Sequence, residues 1–66
     1  MNFAKNLIRL REDENLTQDQ FADAFGVSRS AVGMWETGKR EPDLKTLERI
    51  TDFFKVDFNT LLNERW

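Results

Sequence analysis

Residues 17–37, TQDQFADAFGVSRSAVGMWET, hold two short amphipathic segments with almost nothing between them. Thr17 and Gln20 have the S/T-x-x-E/Q spacing of a capping box, and Leu16 stands at the staple position before them. A helix is therefore predicted from Gln18, with Phe21, Ala22 and Phe25 on its inner side. Gly26 ends it, because glycine enters the left-handed region without a Cβ clash. Ser28 is an N-cap residue type, so a second helix opens at Arg29 and stops at Thr37-Gly38. Val32 and Trp35 give this second helix an inward side. Arg29, Ser30, Gly33 and Met34 are left on the outer one.

Working outward, the same helical period continues on both sides. Phe3, Leu7 and Leu10 form one stripe over residues 2–14, and Asn15 is a residue type that tolerates a left-handed stop. After the polar loop Lys39, Arg40, Glu41 and Pro42, Asp43 caps a fourth helix whose apolar stripe is Leu44, Leu47, Ile50 and Phe54. Val56-Asp57 breaks the pattern, and a fifth helix is predicted over residues 58–64 with Leu61 and Leu62 inward. No stretch alternates in the period of a strand. The expectation is an all-α, five-helix fold occupying residues 1–66 as a single domain. Met1 and the compact end suggest a whole protein.

Composition narrows the function. The chain has 66 residues and contains no Cys, His or Tyr. Disulfides and thiolate metal sites are excluded, and the commonest general base and zinc ligand is missing. A helical globule this small offers little pocket in which to raise a carboxylate pKa, so an enzyme is not expected. No segment is apolar enough to span a bilayer or serve as a secretory signal, which points to a cytoplasmic protein without membrane contact. No cofactor, metal or small-molecule substrate is implied.

The net charge is −2, but charge is segregated along the chain. Lys5, Arg9 and Arg11 make the first eleven residues basic, and Glu12, Asp13, Glu14, Asp19 and Asp23 make the next fourteen acidic. An acidic total argues against indiscriminate coating of nucleic acid, since that binding rests on neutralised phosphates. Two helices joined by a short glycine-containing turn nevertheless present one exposed helix edge, and such a helix fits a DNA major groove, which is about 12 Å wide. The first turn of the preceding helix would face the phosphate backbone with its amide groups.

The segment TQDQFADAFGVSRSAVGMWETGKREPDLKTLERI resembles the signature of the phage Cro and lambda-repressor-like helix-turn-helix transcription regulators. Its most specific parts are Gln18, the Ala22–Gly26–Val27 hinge, and WETGKREP at 35–42. The resemblance extends from IRLRE in the first helix to FNTLL in the last. It implies a lambda-repressor-like fold with the helix-turn-helix at helices 2 and 3, a double-stranded DNA operator as partner, and a homodimer.

The resemblance gives Arg29 and Ser30 the base-reading positions, and an arginine there can donate two bonds to guanine. Helical phase turns Met34 outward on the same face, where its thioether can pack on thymine methyl groups. Gly33 is a mid-helix glycine, either because the backbone approaches DNA or because the position merely tolerates it. Gln18 takes a phosphate in the family, and Thr17, Ser28, Thr37, Lys39 and Arg40 are the remaining phosphate candidates. Arg11 and Glu36 match a partly buried ion pair that orients helix 3. Phe58, Leu62 and Trp66 fall at i, i+4 and i+8 and form a candidate two-fold dimer interface. The expected activity is operator occupancy, most simply repression. The competing reading is a helical protein-interaction module, such as an antitoxin or adaptor, using the same face.

Overall fold

A computed structural model describes residues 3–63. Among them are five helices and no strands: α1 (Phe3–Asp13), α2 (Gln18–Phe25), α3 (Arg29–Glu36), α4 (Leu44–Phe54) and α5 (Phe58–Leu62). The predicted boundaries hold to within a residue or two, except that residues 64–66, including the end of the expected fifth helix and Trp66, lie outside the described segment.

Local chemistry starts and stops these helices. Thr17 closes the capping box of α2, its Oγ1 accepting from the Gln20 amide at 3.1 Å while Gln20 Oε1 accepts from the Thr17 amide at 2.8 Å. Ser28, Asp43 and Asp57 each cap the next helix by accepting from the amide three residues on. The first four helices end alike. A left-handed residue follows each one, namely Asn15, Gly26, Gly38 and Lys55. The next amide then bonds back to a carbonyl five residues earlier: Leu16 to Arg11, Val27 to Ala22, Lys39 to Met34, and Val56 to Thr51. This is the Schellman closure, and in three of the four cases the closing residue (Leu16, Val27 or Val56) also packs on the core.

The core is assembled from one face of every helix. Leu7, Phe21, Val32, Ile50 and Leu61 are fully enclosed. Phe21 stands at the centre of an aromatic group, with ring centroids 5.2 Å from Phe25, 5.3 Å from Phe53 and 5.4 Å from Phe54. The expected apolar stripe of α4 needs one correction. Leu44 is 66% exposed, because it opens the helix at its first position, before the stripe reaches a neighbour.

Two polar side chains complete the packing. Asn6 is buried on the apolar side of α1, and its Nδ2 donates to the Thr60 and Leu61 carbonyls at 3.1 and 2.9 Å. It thereby joins α1 to α5. Arg49 on α4 donates from Nη2 to the Phe25 carbonyl at 2.6 Å, and its guanidinium lies 4.2 Å from the Phe25 ring centroid. A cation is thus set against the negative C-terminal end of α2. Among the described residues every buried side-chain nitrogen or oxygen has a hydrogen-bond partner.

Candidate nucleic-acid interface

Helix α3 is positioned by what it buries. Val32 is fully enclosed and Trp35 nearly so, its ring edge-to-face with Phe25 at a centroid distance of 6.2 Å. Gly26 gives the tight turn that brings α3 across α2: its φ is +84°, and its amide and that of Val27 both donate to the Ala22 carbonyl. The buried Ala22 keeps the crossing close. Arg29 and Ser30 are then exposed, and Gly33 and Met34 half-buried, on the other side of the helix.

The charged pair expected between helices 1 and 3 is present and closely fitted. Arg11 Nε donates to Glu36 Oε2 at 2.6 Å, and its Nη2 to Glu36 Oε1 at 3.1 Å. Its Nη1 donates to the Leu16 carbonyl at 2.7 Å. The side chains are only 12% and 4% exposed. The hydrogen bonds to Glu36 hold the guanidinium in its charged form, raising its pKa against the opposing effect of burial. Gln18 joins the pair, its Nε2 donating to Glu36 Oε1 at 2.9 Å. One carboxylate therefore ties α1, α2 and α3 together behind the exposed edge of α3.

The other candidates fall around that edge. Thr17 and Ser28 are exposed caps whose oxygens each accept one amide, which leaves each hydroxyl its own proton to donate. Thr37 is also exposed, but its Oγ1 lies 3.0 Å from the Gly33 carbonyl and 3.3 Å from that of Met34. Its proton is directed back into the helix end. Lys39 and Arg40 are exposed in the loop that follows the α3 closure. Around Gly33 an added Cβ would meet nothing within 4 Å, so no contact inside the molecule requires glycine there. At the fifth helix, Phe58 is 37% exposed, whereas Leu62 is half-buried and packs on the core.

A cation at the first position of α3 opposes the helix dipole, which on sequence grounds hints at an external anion. The chain itself supplies one: Arg29 Nε lies 3.6 Å from Asp19 Oδ1 on α2. Sequence reasoning missed this partner, as it missed Asn6 and Arg49. Only Asn6 leaves a trace in the sequence, as a polar residue at i+3 from Phe3 and beside Leu7 on an otherwise apolar stripe. Among the described residues no group of three or more Asp and Glu is arranged to hold a metal ion, and no helix is long and apolar enough to cross a membrane.

Comparison with known proteins agrees with this geometry. The family model described as Helix-turn-helix matches residues 7–61. The HTH-type transcriptional activator BcrR of Enterococcus faecalis is 43% identical over 63 residues, covering 96% of this chain and 31% of that protein. The uncharacterized HTH-type transcriptional regulator YqaE of Bacillus subtilis is 42% identical over 60 residues, covering 91% of this chain and 52% of its own. The crystal structure of a transcriptional regulator from Listeria innocua superposes with a TM-score of 0.81 at 30% identity, covering 97% of this chain and 63% of that one. The chain thus spans roughly a third to a half of these two curated relatives. With the turn, both its helices and the ion pair behind them all inside the matched span, the chain belongs to the helix-turn-helix family.

Proposed function

We propose that this chain is a sequence-specific DNA-binding regulator of transcription that acts by occupying its operator, without catalysis. The observation that carries the reading is the two-sidedness of α3. One side is fixed by Val32, Trp35 and the Arg11–Glu36 pair, and the other offers Arg29, Ser30, Gly33 and Met34 to a major groove. In this reading Arg29 and Ser30 contact base edges, Met34 packs on a thymine methyl, and Gly33 lets the backbone come close. Thr17, Gln18, Ser28, Lys39 and Arg40 position the chain on phosphates, whereas Thr37 could join them only by turning its hydroxyl proton away from the Gly33 and Met34 carbonyls. The bond from Gln18 to Glu36 is compatible with that role, since an amide nitrogen carries two protons.

Residues 1–66 act as one domain in this reading, in the compartment that holds the DNA. A homodimer built on Phe58 and Leu62, with Trp66 added on its sequence spacing alone, would place two α3 helices about 34 Å apart, on half-sites one helical turn apart. Sedimentation at tens of micromolar tests this part, and a monomer alone would remove the dimer. Selection of bound duplexes from a random library tests the whole. The expected result is an enriched motif with two-fold symmetry. Enrichment of no motif would overturn DNA reading in favour of a protein-binding module. Repression needs occupancy only, whereas the Enterococcus faecalis relative is named an activator. A reporter driven from the selected site decides the sign.

A further inference from the structure

We infer that Asp19 is a specificity-determining positioning residue. It steers the Arg29 guanidinium toward guanine and penalises DNA that gives Arg29 no base to hold. The inference rests on the reading of Arg29 as a base contact. Its starting observation is the Arg29 Nε to Asp19 Oδ1 distance of 3.6 Å, between side chains that are 65% and 74% exposed. At that distance the contact is an ion pair rather than a hydrogen bond. In the free chain, in water, such a pair contributes little.

Docking changes its surroundings. Asp19 lies in the first turn of α2, exposed beside Arg29, and in the docking read for this family that turn faces the phosphate backbone. A duplex laid against α3 excludes water from both side chains, and the same ion pair strengthens as the local dielectric falls. The atom facing the carboxylate is Nε. Both Nη groups are left for the O6 and N7 acceptors of a guanine, the bidentate pairing that discriminates that base. A guanidinium free to swing would find phosphate oxygens as readily as a base edge. One restrained at Nε keeps its fork in the groove, so less freedom is lost on binding.

The sign of the charge supports the assignment. A carboxylate facing phosphates weakens binding to every sequence, whereas a residue serving affinity there would be neutral or basic. The penalty is offset only where Arg29 pairs fully with a base. Specificity is a difference of affinities, and Asp19 enlarges that difference from the unfavourable side.

The experiment measures binding of wild type, Asp19→Asn, Asp19→Glu, Arg29→Ala and the Asp19→Asn/Arg29→Ala pair. The probes are the selected duplex, the same duplex with the Arg29 base pair inverted, and an unrelated duplex. Circular dichroism confirms the fold of each variant, and the exposure of both side chains makes its loss unexpected. Asp19→Asn is expected to tighten binding to the unrelated duplex by about 2- to 5-fold, and to reduce discrimination at the Arg29 base pair by about 3- to 10-fold. Asp19→Glu restores most of that discrimination. In the Arg29→Ala background, Asp19→Asn changes it no further. If Asp19 serves only the α2 dipole, Asp19→Asn weakens all three duplexes alike, and the inference falls. It falls too if Arg29→Ala abolishes discrimination while Asp19→Asn leaves it within 2-fold, and there the base-contact reading survives. If Arg29→Ala itself leaves discrimination intact, the base-contact reading falls and this inference with it.

Discussion

Gln18 and Glu36 sit on successive helices and are joined by a hydrogen bond of 2.9 Å, on a carboxylate that Arg11 already holds through two nitrogens. Only the amide nitrogen of Gln18 can donate to a carboxylate, so the chemistry fixes its orientation. The side chain that the family resemblance assigns to a phosphate is therefore also a brace for α3. Anything that moves Glu36 moves the first turn of α2 with it.

Glu36→Ala should consequently damage the fold before it damages binding. It leaves Arg11, 12% exposed, without its carboxylate, a loss that costs about 3–5 kcal/mol when a nearly buried pair is broken. Urea denaturation should show a large fall in midpoint. Arg11→Met combined with Glu36→Leu should cost far less than the two single changes added, because no lone charge remains. Full additivity would show that the pair does not act as a unit.

Gly33 separates stability from binding. Nothing lies within 4 Å of an added Cβ, and alanine is favoured over glycine inside a helix by about 1 kcal/mol. Gly33→Ala should raise the thermal midpoint. If the α3 backbone approaches DNA closely, the same variant should bind the selected duplex more weakly. A variant both more stable and equally tight would mean that glycine is only tolerated there.

Lys55 holds a left-handed conformation, φ +57°, at the closure that ends α4. The three other closures use Asn or Gly at the matching position. Lys55→Gly removes the Cβ strain and should stabilise the chain by about 1 kcal/mol, read from the denaturant midpoint, with DNA affinity unchanged.

These closures show how far the sequence can be read. The capping box and Gly26 announce the turn, since few residue types perform those tasks, and the stripes of α1 and α2 follow from spacing alone. Lys55 announces nothing. Its backbone is set by the need to bring Val56 onto the core, a tertiary demand that overrides its own preference. Leu44 misleads for the opposite reason, having the right spacing but standing one turn too early to meet a neighbour. At the candidate interface the outward set on α3 follows from helical phase. The Asp19–Arg29 and Arg49–Phe25 contacts depend on how helices cross, and periodicity within one helix carries no record of that.

Lys39 and Arg29 should differ in the kind of binding they support. Lys39→Ala should weaken selected and unrelated duplexes alike, and lower the slope of log affinity against log salt by about 0.9. Arg29→Ala should instead cost about 1–3 kcal/mol of discrimination at one base pair. Titrations at several salt concentrations on both duplexes separate the two outcomes.

Asp43 and Asp57 tie helix starts to pH. The Thr46 hydroxyl and then its amide hold the Asp43 carboxyl below the ordinary range, and the Thr60 amide and then its hydroxyl do the same for Asp57. The folded chain thus binds fewer protons than the unfolded one just below about pH 4, where free aspartate titrates. The stability due to these caps is complete above that pH, and is lost as pH falls through the depressed folded values. Asp43→Asn and Asp57→Asn keep an oxygen on the cap and should flatten the acid side of the melting curve. Unchanged acid sensitivity would place its origin in other carboxylates.

Asn6 sutures the place where the fold begins to the place where it finishes, since its amide bonds to carbonyls 60 and 61. The first and last helices of the described segment are therefore stitched directly to each other. This makes the order of the helices negotiable. A circularly permuted chain, spliced across that seam by a short flexible bridge and cut open in another surface loop, should settle into the same arrangement.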